Sequence, residues 1–232
     1  MAEHHDAPRP HPPLTLAVLG LVGALATLAI TIVGGTDWGS PGSPGYASYE
    51  FLNRLNGAAL AMLAAAPLAL RSALADRPDA RGVRRTLTVV AGAFVGLVIG
   101  SVAEFWLFTD QPYRGAGGEG RIAAWNTFLL SDLALMLTSV AAGVGILRRR
   151  LVPRSFGLSV ALAAPVGIGA AVFGAPLLLN VPLVGLAMLA ATISVRQSPA
   201  IALWQHPGLM GDQRRGAPDP PDVGETREGG SQ

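Results

Sequence analysis

The sequence predicts an all-α protein: an integral membrane bundle of six transmembrane helices with both termini in the cytoplasm. Three observations carry this prediction. The chain is 50% hydrophobic and only 14% charged over 232 residues, which is more apolar surface than one soluble core of this size buries. The apolar residues form six stretches of roughly the length that crosses about 30 Å of hydrocarbon at 1.5 Å per residue. Almost all the arginines fall in alternate gaps between these stretches.

The six predicted spans follow from the apolar runs in chain order. They are residues 14–33, 51–70, 87–108, 122–147, 156–175 and 181–195. The last two come from one long uncharged run, which we divide at Pro176, Asn180 and Pro182 because proline interrupts a helix. The sixth span is consequently short.

Arginine placement predicts the orientation, because cytoplasmic loops hold the excess of basic residues near the span ends. All basic residues of the chain are arginines, and they are dense in the second gap (71–85) and in the fourth (148–154). The first gap has none, and the third has two that are offset by two acidic residues. Every arginine except Arg54, Arg114 and Arg121 then lies on one side. We therefore predict a multi-pass protein of the cell (plasma) membrane with both termini inside.

The two tails differ in composition from the spans. Residues 1–13 mix His, Pro and acidic residues, and residues 196–232 are mostly Pro, Gly, Asp, Glu and Arg. Both are predicted to be cytoplasmic tails, the first disordered and the second mostly so, on either side of a transmembrane domain of residues 14–195. Cleavage of the first span as a signal peptide is the alternative, but its apolar stretch exceeds the usual 7 to 15 residues.

Several function classes are excluded by missing residue types and motifs. The chain has no cysteine, which excludes disulfides, thiol catalysis and cysteine-ligated metal clusters. No histidine lies in a span, which removes the usual axial ligand of haem. No phosphate-binding loop, dinucleotide motif, HExxH or GxSxG pattern occurs. The sequence thus predicts no catalytic residue, no cofactor and no metal site, and its net charge of +2 gives no reason to expect nucleic acid.

A few polar side chains lie inside the spans, where such groups are costly and are therefore the first candidates for function. The candidates are Asn53, Arg54, Asn56, Glu104, Asn126 and Asp132. All fall in the outer half or the middle of the membrane on three consecutive spans, which favours one polar network. Arg54 and Glu104 lie at matching depth and form the predicted ion pair. Asp132, deeper and without a partner, is then the predicted protonatable group.

A structural use of the same side chains is the alternative. In that case Asp132 hydrogen-bonds a neighbouring helix, and Glu104 extends to the outer interface. Glycines at every fourth position of the third span, Gly92, Gly96 and Gly100, predict a ridge of small residues that lets another backbone approach closely. Most such contacts are expected inside the six-helix protein, with self-association as the alternative.

Three functional hypotheses follow. We favour a non-enzymatic membrane protein with a structural or accessory role, whose partners are the lipid bilayer, other membrane proteins or a second copy of the chain. The second hypothesis is a small proton-coupled transporter or permease that uses Asp132 and Glu104 with Arg54. The third is a lipid-modifying enzyme of the outer leaflet, with Glu104 as acid or base and Arg54 as anion clamp.

Overall fold

The computed structural model describes residues 12–34, 45–112, 116–176 and 178–197, so the predicted tails lie almost wholly outside the described residues. All regular structure in the described ranges is helical. The α-helices are α1 (Pro12–Gly34), α2 (Tyr46–Leu63), α3 (Ala65–Ala73), α4 (Arg81–Val102), α5 (Glu119–Arg148), α6 (Arg154–Val172) and α7 (Asn180–Gln197). A 3-10 turn (Pro78–Ala80) precedes α4, and a π-helical turn (Ala103–Leu107) extends it. The predicted all-α class is confirmed.

Five helical segments are long and apolar enough to cross a membrane. They are Leu14–Val33, Tyr46–Ala73, Pro78–Leu107, Glu119–Arg148 and Arg154–Val172, and each overlaps one of the first five predicted spans. The predicted sixth span corresponds to α7, which is not among the five because Asn180, Arg196 and Gln197 make its ends polar. The count of six spans therefore stays a prediction.

Prolines account for two of the helix boundaries. Pro67 has no N–H to offer to the carbonyl of Leu63, and the helix is interrupted at Ala64 before it resumes as α3. Pro182 lies in the first turn of α7, where a missing N–H costs nothing. The interruption predicted between the fifth and sixth spans is therefore present, but α6 ends at Val172, earlier than predicted.

Two helices begin more than one turn before their predicted spans. The second span was predicted to begin at Phe51, whereas α2 begins at Tyr46, directly after Gly45 with its left-handed backbone (φ 92°). The third was predicted to begin at Leu87, whereas α4 begins at Arg81. The extra turn of α2 brings Glu50 into the helix, which changes the candidate site described below.

Residues of all seven helices share one hydrophobic core. Its fully buried side chains include Leu63 of α2, Phe94 of α4, Leu135 of α5 and Met188 of α7. Apolar side chains also cover much of the outside: Leu130, for example, is 67% exposed. A protein that is apolar both inside and outside suits a bilayer rather than water.

Glycines set the register between neighbouring helices. A β-carbon built on Gly100 would lie 2.8 Å from the backbone nitrogen of Phe128, and one built on Gly96 would meet the Ser131 side chain. These two contacts hold α4 and α5 together as a close antiparallel pair. Gly92 is different, because a β-carbon there would meet open space. The predicted ridge of three glycines therefore makes close helix contacts at only two of them.

Helix α6 reaches only about halfway along the α4–α5 pair. Gly143 of α5 lies against Ala161 of α6. A rise of 1.5 Å per residue puts the end of α6, Val172, about 16 Å from that contact and at the depth of Asp132. From Asp132, α5 continues for about 20 Å to its first residue.

The bundle therefore has two distinct ends. The arginine-rich end contains the connections 74–80 and 149–153. The far end contains the start of α2, the π-helical turn and the start of α5. Helix α7 begins with Asn180 packed against Gly167 of α6 and runs back towards the arginine-rich end.

Candidate functional site

Two groups of polar residues lie at different depths in the bundle. The far-end clamp consists of Tyr46, Glu50 and Arg54 of α2, Thr109 of the following connection, and Arg121 of α5. The mid-bundle pair consists of Asp132 of α5 and Asn180 of α7.

The α2 side of the far-end clamp is a single helix face. Tyr46, Glu50 and Arg54 follow one another at intervals of four residues, which places them one above the other on a helix. Nη2 of Arg54 lies 2.5 Å from Oε1 of Glu50. The hydroxyl of Thr109 donates to the same carboxylate oxygen. Glu50 therefore links α2 to the segment that follows α4.

Arg54 also holds the end of the helical segment that begins with α4. The π-helical turn closes with a 2.9 Å hydrogen bond from the Phe108 N–H to the Ala103 carbonyl. Nε of Arg54 donates to the carbonyl of Phe105 (2.9 Å), and its guanidinium lies 5.5 Å from the centre of the Trp106 ring. Cations are favoured beside the terminal carbonyls of a helix. The predicted Arg54–Glu104 ion pair is wrong, because Arg54 pairs with Glu50, one turn before it.

Arg121 is a buried charge that we expected in an exposed loop. Its side chain has no solvent exposure. Nη1 donates to the carbonyls of Thr109 and Gln111, both at 2.9 Å, and Nη2 donates to the Tyr46 hydroxyl at 2.6 Å. Its backbone N–H donates to the Gln111 side chain (3.2 Å). Buried charges are tolerated when they are paired and hydrogen-bonded. Here two carbonyl oxygens of the connection between α4 and α5 accept hydrogen bonds from the guanidinium.

Glu104 lies inside the bundle, at 1% exposure in the π-helical turn, so it does not extend to the outer interface as the structural alternative supposed. Asn53 contributes to local packing: its amide donates to the Tyr49 carbonyl (2.9 Å), and its own carbonyl accepts a bond from Ser101 (3.4 Å). Neither residue contacts Asp132 in any hydrogen bond described.

Asn126 does not join the polar groups. It is exposed on the outer face of α5, which it shares with Ile122, Leu130 and Leu133. The predicted network was wrong on this point, because Asn126 lies at the right depth but on the opposite face. Asn56, by contrast, is 4% exposed, and its Oδ1 has no hydrogen-bond partner in the described part of the chain.

The mid-bundle pair joins two helices that are far apart in sequence. Nδ2 of Asn180 donates to Oδ1 of Asp132 at 2.7 Å. Asn180 is fully buried and Asp132 half-buried. Among the described residues, Asp132 forms no ion pair, and Oδ1 of Asn180 has no hydrogen-bond partner.

The mid-bundle pair and the far-end clamp lie at different depths in the bundle. The Gly100–Phe128 contact puts Glu104 at about the level of Ala124, so Asp132 lies about 12 Å deeper along α5. The candidates therefore do not form the single network that was predicted from their approximate depths.

Sequence reasoning missed Tyr46, Glu50, Arg121 and Asn180. The four-residue spacing of Tyr46, Glu50 and Arg54 was a readable signal, but it became meaningful only with the helix extended back to Tyr46. In the sequence, Asn180 only marks the interruption between the fifth and sixth predicted spans, and no local pattern links it to Asp132. Within the described ranges, no three His, Asp or Glu side chains come together as metal ligands.

The chain matches no protein-family model, no curated protein and no solved structure. Function must therefore be argued from the residues themselves.

Proposed function

We propose that the chain is a non-enzymatic, multi-pass protein of the cell membrane with a structural or accessory role, and that its arginine-rich end faces the cytoplasm. The far-end clamp supports this proposal. Arg54 and Arg121 both bind backbone carbonyls and side chains of their own chain. Such contacts hold the ends of α2, α4 and α5 together, and they leave these guanidinium groups less free to bind a substrate.

An accessory role requires a protein partner on the lipid-facing surface. The test places a photo-crosslinking amino acid at exposed positions on two different helices, Leu130 of α5 and Val18 of α1. We expect a protein adduct of constant size from only one of the two positions in intact membranes. Adducts with lipid alone from both positions would contradict the proposal.

The same role predicts that the protein itself transports no proton or solute. Purified protein in sealed vesicles is expected to carry no proton or solute flux above protein-free vesicles. An Arg54→Met variant is expected to melt at a lower temperature without changing that result. If wild type carries a flux and Arg54→Met abolishes it at unchanged stability, Arg54 takes part in transport and the proposal is contradicted.

A small proton-coupled transporter or permease is the second candidate, and the mid-bundle pair favours it. A carboxylate inside a membrane domain without an ion pair in the described chain is the type of group that transporters use. The test is vesicle flux driven by a pH gradient, with Asp132→Asn expected to abolish it and Asn126→Ala, on the exposed face of the same helix, to leave it intact. The lipid-modifying enzyme is not carried further, because its intended anion clamp, Arg54, binds Glu50 and the Phe105 carbonyl.

A further inference from the structure

We infer that the arginine-rich end binds the headgroup of an anionic phospholipid through Arg81 and Arg85 of α4 and Arg149, which directly follows α5. The acyl chains of this lipid lie in the leaflet at the same end of the bundle. The inference goes beyond the accessory role proposed above and does not depend on it, because a lipid can bind whether or not a protein partner does. It also holds whichever side of the membrane this end faces.

The first argument is the charge of this end. Residues 71–85 and 148–154 contain nine arginines against two aspartates, which leaves a formal net charge of +7. In the described part of the chain, none of these nine arginines forms an ion pair. Clusters of arginine next to a membrane span attract anionic lipids. The charge therefore favours an anionic partner at the membrane surface.

The second argument is that one of these arginines is held against the start of α4. Nη1 of Arg149 donates to the Asp79 carbonyl at 2.7 Å. Nη2 of the same side chain lies 3.9 Å from the position of a β-carbon on Gly82. It makes no hydrogen bond to the described residues beyond the one to Asp79. The guanidinium of Arg149 is therefore fixed over the first turn of α4, with Nη2 still able to donate.

Two further arginines lie beside Gly82. Arg81 precedes it and Arg85 follows three residues later, so both are its neighbours on the helix surface. Both side chains are exposed. Like charges four residues apart repel each other, and cations at the start of a helix oppose its dipole. A phosphate bound among the three guanidinium groups would offset this repulsion, because arginine binds phosphate oxygens with paired hydrogen bonds.

The third argument distinguishes a lipid from a free phosphate. From Arg85, one face of α4 continues through Val89, Gly92, Val95 and Ile99 at intervals of three or four residues. The three larger side chains are 51–57% exposed, and a β-carbon on Gly92 would meet no atom within 4 Å. Gly92 lies about 10 Å from Arg85 along the axis, which is within the hydrocarbon of one leaflet. An exposed apolar stripe for an acyl chain thus begins directly below the arginines.

The chain offers a matched control in Arg154, the first residue of α6. A β-carbon on Gly145 of α5 would meet Val83 of α4, whereas one on Gly143 would meet Ala161 of α6. Residues two apart lie on opposite sides of a helix. Arg154 is exposed at the same end but is separated from the proposed site by α5, so its replacement changes the net charge equally without touching the site.

The test is native mass spectrometry of the detergent-purified full chain, titrated with phosphatidylglycerol or with phosphatidylcholine of the same acyl chains. We expect one phosphatidylglycerol to be retained per chain, at least about tenfold more tightly than phosphatidylcholine. Arg85→Gln should weaken this binding about fivefold, the usual contribution of one arginine at an anionic surface. No side-chain hydrogen bond of Arg85 to the described residues is lost, so the variant should fold. Arg154→Gln should weaken binding less than about twofold.

Three outcomes would overturn the inference. Equal losses in Arg85→Gln and Arg154→Gln would mean that the whole positive end attracts lipid without a defined site. Displacement of phosphatidylglycerol by an equal concentration of glycerol phosphate would mean that the site binds a small anion rather than a lipid. Binding seen only after Asp219→Asn, Asp222→Asn and Glu225→Gln would mean that the acidic C-terminal segment occupies the arginines. None of these results would affect the accessory role, which rests on the far-end clamp and on the crosslinking test.

Discussion

Arg121 donates a 2.6 Å hydrogen bond to the hydroxyl of Tyr46, 75 positions earlier in the chain. The same guanidinium holds the carbonyls of Thr109 and Gln111, so one buried side chain joins the start of α5, the start of α2 and the connection between α4 and α5. Removing one partner of a buried charge costs more than the bond itself, because the charge stays desolvated. The far-end clamp should therefore dominate the stability of this end of the bundle.

Removing the Tyr46 hydroxyl tests this directly. Tyr46→Phe keeps the ring beside the Arg121 guanidinium, 6.0 Å away, and deletes only the hydrogen bond. We expect the free energy of unfolding to fall by about 1.5–3 kcal/mol, the usual contribution of a hydrogen bond to a charged group. The measurement is equilibrium unfolding in detergent. The control is Ser159→Ala, which removes an exposed hydroxyl bonded within its own helix and should cost less than about 0.5 kcal/mol.

A double-mutant cycle separates the ion pair of Arg54 from its other contacts. The Arg54 and Glu50 side chains are 37% and 20% exposed, so solvent screens their attraction and their coupling energy should stay below about 1 kcal/mol. Arg54→Met should cost more than this coupling, because it also removes the bond to the Phe105 carbonyl, a loss of about 1–3 kcal/mol. The measurement is unfolding of wild type, Arg54→Met, Glu50→Gln and the double variant. A coupling equal to the whole cost of Arg54→Met would show that the carbonyl bond contributes nothing.

Two glycines of α4 provide a matched comparison. Gly100→Ala would place a β-carbon 2.8 Å from the Phe128 backbone, so α4 and α5 would have to separate, and we expect lower stability. Gly92→Ala meets open space, and replacing glycine with alanine inside a helix adds about 1 kcal/mol. Thermal melting should therefore shift in opposite directions for the two variants. Equal shifts would mean that the α4–α5 contact is looser than the structure indicates.

The sequence predicted the helical class and most span positions because these depend on apolar runs and on proline, which act locally. It failed on the pairing of Arg54, because the apolar run begins at Phe51 and this start places Glu50 in the preceding loop. One more helical turn places Glu50 four residues before Arg54, where side chains meet.

Arg121 could not be predicted as buried, because most of its described partners are backbone oxygens of a turn that no residue pattern marks. The error at Asn126 concerned helical phase. Counting residues gives depth along α5, but the side to which Asn126 points depends on which face α4 and α6 cover. Predicting the Asp132–Asn180 bond would have required the register of α5, α6 and α7. That register is set by close contacts at Gly143 and Gly167 with residues that are distant in sequence.

The proposed orientation can be tested because the chain has no cysteine. Single cysteines at Asp76, exposed at the arginine-rich end, and at Glu119, exposed at the far end, give each side its own label site. We expect a membrane-impermeant maleimide to label Glu119→Cys in intact cells and to label Asp76→Cys only after the membrane is opened. The reverse pattern would invert the topology without altering the fold.

The tip of the α6–α7 hairpin makes a sharper prediction about the membrane itself. Helix α6 ends about 20 Å short of the first residue of α5, and Phe173, directly after it, is 91% exposed. If α4 and α5 cross the whole bilayer, Phe173 contacts lipid rather than water.

A cysteine in an apolar setting stays protonated and reacts slowly, because the thiolate is the nucleophile. Phe173→Cys should therefore resist the impermeant maleimide both in intact cells and in opened membranes, yet react in full once the protein is denatured in detergent. Glu119→Cys, on the same preparation, provides the positive control. Rapid labelling of Phe173→Cys in intact cells would mean that the hairpin tip reaches water at the far end, with α5 extending beyond the membrane surface, and Asp132 would then lie near the interface rather than within the hydrocarbon.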